Sequence, residues 1–176
     1  VIFVGYSGHA YVVGDSALER GWLLEGYLEQ ASKDNGPFGL NHLGYERDIL
    51  DFHGKQLLLG IGDNALRQRV FEHIDLKGGQ FPALVGLDAS VSKFAKIGNG
   101  TFVARGAHVN ALSTIGKGCI LNTGSSIDHE CVLGDFVHVA PNAVLCGNVE
   151  VGRGSFIGAN SVIKEGVKIG ENTIIG

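Results

Sequence analysis

The chain has 176 residues, of which 44% are hydrophobic and 18% are charged, and its formal net charge at pH 7 is −4. This length can bury two modest hydrophobic cores. A negatively charged chain without Lys/Arg runs interleaved with aromatic residues argues against nucleic acid as a partner. The longest plain aliphatic run, residues 57–59, is far shorter than a membrane span.

The cysteines and the chain ends bear on location and completeness. There are three cysteines, an odd number that argues against a disulfide framework, and no signal-peptide pattern precedes the first apolar segment. We therefore expect a cytoplasmic protein. The sequence contains no methionine and stops at Gly176 in the middle of a repeat, so we expect its C-terminal end to be incomplete.

Residues 1–84 alternate segments that are predicted as strands and helices. The strands are predicted over residues 1–4, 23–28 and 55–61, and the helices over residues 10–20, 46–52 and 65–74. A polar loop is predicted over residues 32–37, and Asp63 or Asn64 can cap the last helix. This alternation predicts a Rossmann-like α/β domain with a small parallel sheet and a nucleotide-sized crevice at its strand ends.

A glycine-rich turn follows the first predicted strand. Gly5 and Gly8 match the first and last glycines of the dinucleotide-binding fingerprint, but Ser7 replaces the middle one. The remaining strand–turn–helix pattern presents main-chain N–H groups that suit an anion. A tight packing turn without a ligand explains the same residues, and the sequence leaves both interpretations open.

Residues 85–176 follow a six-residue period that predicts a parallel β-helix. Val, Ile or Leu stands at every sixth position from Val85 to Ile175, and a small or β-branched residue follows four positions after each. This period fits neither an α-helix nor a free strand, and it is typical of short strands stacked in a hexapeptide β-helix. A Val/Ile/Leu-Gly pattern recurs every 18 residues, which predicts triangular coils of three hexads.

One hexad, residues 127–132, departs from the turn pattern. Elsewhere the fourth residue of a hexad is mostly Gly or Asn, whereas here Asp128, His129 and Glu130 fill the turn. An imidazole beside carboxylates is suited to act as a general base. Gly147 lies 18 residues later, so its N–H is predicted one strand spacing from His129, where it could donate to an oxyanion. The alternative is a solvated charged turn.

Several segments together carry a likeness to a known family. They are GYSGHA at 5–10, IGDN at 61–64, LNT at 121–123, IDHECVLG at 127–134, HV at 138–139 and GNV at 147–149. Over nearly its whole length the chain resembles the bacterial sugar acetyltransferases of the sialic-acid O-acetyltransferase and UDP-4-amino-sugar N-acetyltransferase type. The resemblance implies a left-handed β-helix, a homotrimer and acetyl-CoA as the acetyl donor.

The resemblance also implies roles for individual residues of the β-helix. His129 would be the proton acceptor and Glu130 the group that increases its basicity. Asn122 would lie near the acceptor, and His138 and Ala159 along acetyl-CoA. Since His129 and His138 are nine residues, half a coil, apart, we expect active sites between subunits.

In the first domain the resemblance concerns the sugar nucleotide. Ser7, Gly8, His9 and Gly62 match the segments that hold it. The family carries two acidic residues after its second strand to read the nucleobase, and Glu29 and Gln30 occupy that position here.

The predicted function is that of an acetyl-CoA-dependent N-acetyltransferase acting on the amine of a UDP-linked 4-amino-sugar, with no metal required. One alternative is O-acetylation of a sialic-acid-like sugar by the same base. A second is a zinc-type hydratase, which needs about three convergent imidazoles, whereas His108, His129 and His138 are 21 and 9 residues apart. A third is a non-catalytic scaffold.

Overall fold

The computed structural model describes residues 1–33 and 36–176, and the chain divides into two units, Val1–Pro82 and Ala83–Gly176. Residues 34 and 35, inside the polar loop predicted over residues 32–37, lie outside the described residues. The sequence places the domain boundary after residue 84. The division falls two residues earlier because Leu84 already hydrogen-bonds to the solenoid, its N–H lying 2.9 Å from Thr101 O.

The first unit contains a three-stranded parallel sheet with the strand order β2-β1-β3. Its elements are β1 (Ile2–Val4), α1 (Gly8–Glu19), β2 (Gly26–Leu28), β3 (Leu57–Leu59) and α2 (Asn64–Asp75). Val4 aligns with both Leu28 and Leu59, so the carboxyl ends of the three strands meet at one edge. The predicted parallel sheet and two of the three predicted helices are confirmed.

Aromatic packing and one helix cap stabilise this unit. The buried rings of Tyr6 and Tyr27 stack with centroids 4.2 Å apart. The Asp63 carboxylate accepts a 2.7 Å hydrogen bond from the Leu66 N–H and caps α2, as predicted. Within residues 1–33 and 36–176, no helix is long and apolar enough to cross a membrane.

The helix predicted over residues 46–52 is wrong. The chain forms only a turn there, in which the Asp48 N–H donates to Tyr45 O at 3.0 Å. The following backbone groups bind to a distant segment instead. The Phe52 N–H donates to Lys77 O at 2.9 Å, and Lys77 Nζ donates to Ile49 O at 2.6 Å. These long-range bonds take the place of the local i→i−4 bonds of a helix.

The second unit is a solenoid of two-residue parallel strands arranged in three sheets. The first sheet contains β4 (Leu84–Val85), β7 (Phe102–Val103), β10 (Ile120–Leu121), β13 (His138–Val139), β16 (Phe156–Ile157) and β19 (Ile174–Ile175). The second contains β5 (Ser90–Val91), β8 (His108–Val109), β11 (Ser126–Ile127), β14 (Val144–Leu145) and β17 (Val162–Ile163). The third contains β6 (Lys96–Ile97), β9 (Thr114–Ile115), β12 (Val132–Leu133), β15 (Glu150–Val151) and β18 (Lys168–Ile169).

The core of the solenoid is the ladder that the six-residue period predicts. The inward aliphatic residues of the central coils are almost fully buried, and small residues such as Ala107, Cys119 and Cys131 fill the space between them. Parallel pairing joins each strand to the one 18 residues later, as between Ile127 and Leu145. The predicted parallel β-helix is confirmed.

Candidate active site

His129 and Glu130 form the turn between β11 and β12. The Nδ1 atom of His129 lies 3.1 Å from Glu130 Oε2, and both side chains are about half exposed. A carboxylate on Nδ1 favours the tautomer that leaves Nε2 as an acceptor. Nε2 has no hydrogen-bond partner among the described residues. The pair therefore has the geometry of an oriented base whose reactive nitrogen is open.

The second carboxylate of this hexad orients the backbone instead of the ring. Asp128 Oδ1 accepts a 2.8 Å bond from the His129 N–H and a 3.0 Å bond from Asn110 Nδ2. These two donors hold the pKa of Asp128 below its usual value. The sequence places two carboxylates beside the imidazole, and the structure gives them separate positions because Asp128 bonds to its own following N–H.

The main chain of Glu130 adopts a left-handed conformation, with φ of 59°. This region is uncommon for a residue with a side chain and carries a modest energetic cost. The neighbouring corner residues Leu112 and Asn148 share it, with φ of 66° and 58°. A corner that Gly or Asn fills more easily is thus occupied by a glutamate that contacts the histidine.

Gly147 lies directly against the His129 ring. A β-carbon built on Gly147 would be 2.5 Å from His129 Cε1 and 2.6 Å from Nε2, closer than real contacts allow. The Asn148 N–H donates to His129 O at 2.9 Å, which joins the two coils. In the described part of the chain the Gly147 N–H has no hydrogen-bond acceptor. The absence of a side chain thus leaves room for the imidazole, and one N–H donor remains available nearby.

Asn122 and His138 form a second polar pair on the first sheet of the solenoid. Asn122 Nδ2 lies 3.1 Å from His138 Nε2, and the Phe156 ring meets the His138 ring edge-on at 5.0 Å. His138 is 9% exposed. Ala159 is exposed in the turn after β16. None of these residues belongs to the His129 turn of the same chain. Strand β11 lies between Asn122 and that turn, and β12 lies between the turn and His138.

A cavity of about 420 Å³ opens at the carboxyl ends of the first unit's strands. It brings together four of the predicted residues, Ser7, Glu29, Gln30 and Gly62. Glu29 Oε2 accepts a 3.1 Å bond from the Tyr6 N–H, so an internal carboxylate already binds one amide of the glycine-rich turn. The expectation of a turn with free N–H groups is wrong for that amide.

Gly8 and His9 lie in the first turn of α1, outside the described lining of the cavity. Burial, together with the positive charge of Arg67, lowers the pKa of His9 to about 4, so this histidine is neutral at pH 7. Buried Arg67 donates to Ile61 O, Gly62 O and Asn64 Oδ1, and thereby shapes the turn that contains Gly62.

Sequence reasoning missed Glu46 and Arg67. Glu46 lines the cavity although it is only 6% exposed, and burial raises the pKa of its carboxyl group. The surrounding sequence predicted a short helix, in which a glutamate is unremarkable. Arg67 is one of two arginines within the predicted helix 65–74, and the sequence gave no signal that it would be buried.

The possible metal ligands among the described residues lie apart from one another. Among residues 1–33 and 36–176, no three His, Cys, Asp or Glu side chains form a group that could hold one. His108, His129 and His138 lie on β8, in the turn after β11 and on β13 respectively.

Comparisons with known proteins identify both units. Residues 1–74 match the family described as PglD N-terminal domain, and residues 130–165 and 148–176 match the family described as bacterial transferase hexapeptide (six repeats). No curated protein sequence matches the chain.

Solved structures match the chain over nearly its whole length. PerB from Caulobacter crescentus, solved with CoA and GDP-perosamine, is 32% identical over 99% of this chain and 84% of that chain, with a TM-score of 0.90. A variant of a GDP-perosamine N-acetyltransferase from the same organism was solved with the same ligands. It is 30% identical over 99% of this chain and 84% of that chain, with a TM-score of 0.90. The acetyltransferase domain of PglB from Neisseria gonorrhoeae FA1090 was solved with acetyl coenzyme A. It is 28% identical over 98% of this chain and 85% of that chain, with a TM-score of 0.89.

The identity to PerB extends through both units, since it covers 99% of this chain. The same alignments place the solenoid among the left-handed β-helices of hexapeptide acyltransferases. The chain therefore belongs to the bacterial sugar acetyltransferases that join a PglD-type domain to a hexapeptide-repeat β-helix, and it is an acyltransferase.

Proposed function

We propose that this chain is an acetyl-CoA-dependent N-acetyltransferase that acts on the amine of a nucleotide-linked 4-amino-sugar, with His129 as general base. The observation that carries the proposal is the 3.1 Å contact between His129 Nδ1 and Glu130 Oε2, which leaves Nε2 open to receive a proton. The similarity to proteins solved with CoA and GDP-perosamine supports the donor and the amino-sugar acceptor.

Acetyl-CoA supplies an acyl group activated as a thioester. His129 Nε2 takes the proton that the acceptor amine loses as the amide forms, and it gives this proton to the departing thiol, so the proton count is unchanged. Glu130 stabilises the imidazolium between these two events. The Gly147 N–H donates to the carbonyl oxygen while negative charge develops there.

His138, Asn122 and Ala159 are proposed to lie along the bound donor and acceptor. Asn122 and His138 offer an amide and an imidazole within 3.1 Å of each other. Ala159 is exposed, and its small side chain would let an extended molecule pass close to the backbone. These features fit an elongated ligand with polar groups, which is the character of coenzyme A.

We propose a homotrimer as the active assembly. The His129 side chain is 53% exposed in one chain, whereas transfer of an activated acyl group needs water to be excluded. A neighbouring chain in a closed ring would cover the histidine and bring its own His138 to the site.

The substitution His129→Ala tests the proposed function. General-base loss typically lowers rates 10²–10⁴-fold, about 3–5 kcal/mol of barrier, so we expect kcat to fall by that factor with the fold retained. Release of coenzyme A thiol is measured with a panel of UDP- and GDP-linked 4-amino-sugars and their 4-hydroxyl analogues. From the sequence, the UDP-linked 4-amino-sugars are the expected acceptors.

The matched control is His108→Ala, since His108 is an exposed histidine of the same solenoid without a proposed role. Its activity should remain at the wild-type level. Turnover of His129→Ala at the wild-type rate would exclude His129 as the base. Faster reaction with the hydroxyl analogues than with the amines would indicate O-acetylation instead.

A further inference from the structure

The cavity in the first unit has an acidic interior. The acidic side chains among its described lining residues are those of Glu29, Glu46 and Asp63, and none of the described lining residues is basic. Such an interior repels a diphosphate and favours a neutral group that presents N–H and O–H donors. For a nucleotide sugar that group is the nucleoside.

The walls and the size of the cavity suit a flat heterocycle. Its apolar lining comes from Val4, Leu28, Ile61, Leu66 and Val70. The volume of about 420 Å³ lies within the usual range for small-molecule sites. The aliphatic side chains can contact the faces of a base, so polar groups are required only at its edge.

The carboxyl oxygens of Glu46 can still accept hydrogen bonds from a ligand. It is 6% exposed, and it lines both this cavity and a second one of about 270 Å³, where Arg47, Arg69 and His73 lie. The hydrogen bond found for its carboxylate comes from its own main-chain N–H. A buried carboxylate is stable only when donors satisfy its oxygens, so Glu46 needs a donor-rich partner.

Glu29, by contrast, is largely engaged. Its Oε2 accepts from the Tyr6 N–H at 3.1 Å and lies 3.7 Å from Lys33 Nζ. Its Oε1 accepts from the Gln30 N–H at 3.4 Å. The lone pairs that remain on Glu29 can accept an additional hydroxyl group, such as one of a ribose.

We propose that Glu46 selects guanine as the nucleobase, by accepting hydrogen bonds from the adjacent N1–H and N2–H groups of the base. This inference rests on the proposed function, which makes a nucleotide sugar the acceptor. Guanine presents two neighbouring donors that match the two oxygens of a carboxylate. Uracil presents one N–H between two carbonyl oxygens, and a carboxylate opposite that edge would be repelled by them.

The first test uses the wild-type full chain without acetyl-CoA. Titration calorimetry measures the affinities for GDP, UDP and IDP, the last of which keeps N1–H and lacks the N2 amino group. One charge-assisted hydrogen bond corresponds to roughly a tenfold change in affinity. We expect GDP to bind at least about tenfold more tightly than IDP or UDP. Equal affinities for GDP and UDP, or no binding of any of the three, would overturn the inference.

The second test is Glu46→Gln, which keeps the size of the side chain and replaces one acceptor oxygen by a donor. We expect the affinity for GDP to fall at least about tenfold while that for UDP changes little. The control is Glu72→Gln, an exposed glutamate of α2 outside the cavity, which should change neither affinity. A folded Glu46→Gln protein that keeps the GDP preference would contradict the assignment.

Binding and activity separate this inference from the proposed function. GDP preference without acetyl transfer to any amino-sugar would leave the guanine site intact and remove the N-acetyltransferase proposal. Efficient acetylation of UDP-linked sugars, with GDP-linked sugars inactive, would support the proposed function and overturn guanine selection.

Discussion

His129 depends on the absence of a side chain at Gly147. The substitution Gly147→Ala would place a β-carbon 2.5 Å from His129 Cε1, so the imidazole must move. A displacement near 1 Å at a reacting group costs about 10²-fold in rate. We therefore expect kcat for coenzyme A release to fall about 10²-fold, while circular dichroism and the unfolding midpoint stay close to those of the wild type.

Gly170→Ala is the control for this prediction. Neither Gly147 nor Gly170 has a left-handed φ, so alanine is tolerated by the backbone at both positions. The nearest atom to a β-carbon on Gly170 is Thr173 Oγ1, at 3.7 Å, an ordinary contact. If Gly147→Ala matched Gly170→Ala in activity, the position of the imidazole would not limit catalysis.

Single residues were predictable only where the repeat fixes their neighbours. An 18-residue spacing predicts that Gly147 lies over His129, because every coil returns to the same corner. The position of Asp128 away from the imidazole was not predictable. Its carboxylate accepts from the His129 N–H and from Asn110 Nδ2, and the sequence pattern does not distinguish these donors from others in the turns. Glu46 was missed because its burial comes from strands that are distant in sequence.

Buried hydroxyl groups join successive coils of the solenoid. Ser113 Oγ donates to Asp128 O at 2.6 Å and accepts from the Cys131 N–H at 3.2 Å. Thr101 and Ser155 make the same pair of bonds at other corners. The Ser113 hydroxyl thus hydrogen-bonds to both ends of the His129 turn and links that turn to the preceding coil.

We expect Ser113→Ala to destabilise the protein more than a change of size explains. The substitution leaves the Asp128 carbonyl and the Cys131 N–H without this partner, and an unsatisfied buried polar group costs about 1–3 kcal/mol. The measurement is the free energy of unfolding from urea titration. The His129 turn should also be held less firmly, so kcat should decrease as well.

Ser125→Ala is a matched control in the same solenoid. Ser125 is as buried as Ser113, at 0% exposure, but its Oγ has no partner in the described part of the chain. Removing a buried hydroxyl that makes no hydrogen bond should be neutral or stabilising, within about 0.5 kcal/mol. Equal losses at Ser113 and Ser125 would mean that the bridging bonds contribute nothing to stability.

At the scale of elements, periodic segments were predictable and the irregular segment was not. The solenoid strands follow from a six-residue period in which every inward residue is aliphatic. Residues 46–52 also have apolar residues at spacings that a helix would use, yet they form a turn. Their N–H and C=O groups bind to Lys77, and a local pattern contains no information about such a partner.

A single chain leaves the proposed site incomplete. The His129 side chain is 53% exposed. His138, which is proposed to serve the same bound donor, is nine residues away, half of an 18-residue coil. One face of six residues spans about 20 Å. Half a circuit therefore places the two histidines of one chain too far apart to contact the same small acceptor. A threefold ring resolves this by setting His129 of one chain against His138 of its neighbour.

Complementation between the His129→Ala and His138→Ala variants tests this assembly. His129→Ala and His138→Ala chains are refolded together in equal amounts, and mixed trimers are verified by native mass spectrometry. A site then needs an intact histidine from each of two chains, so random mixing should restore roughly a quarter of the sites. The separately refolded variants are the controls. Mixed trimers that are no more active than these controls would show that sites are not shared in this way, because every site would then need both histidines from the same chain or would not use His138.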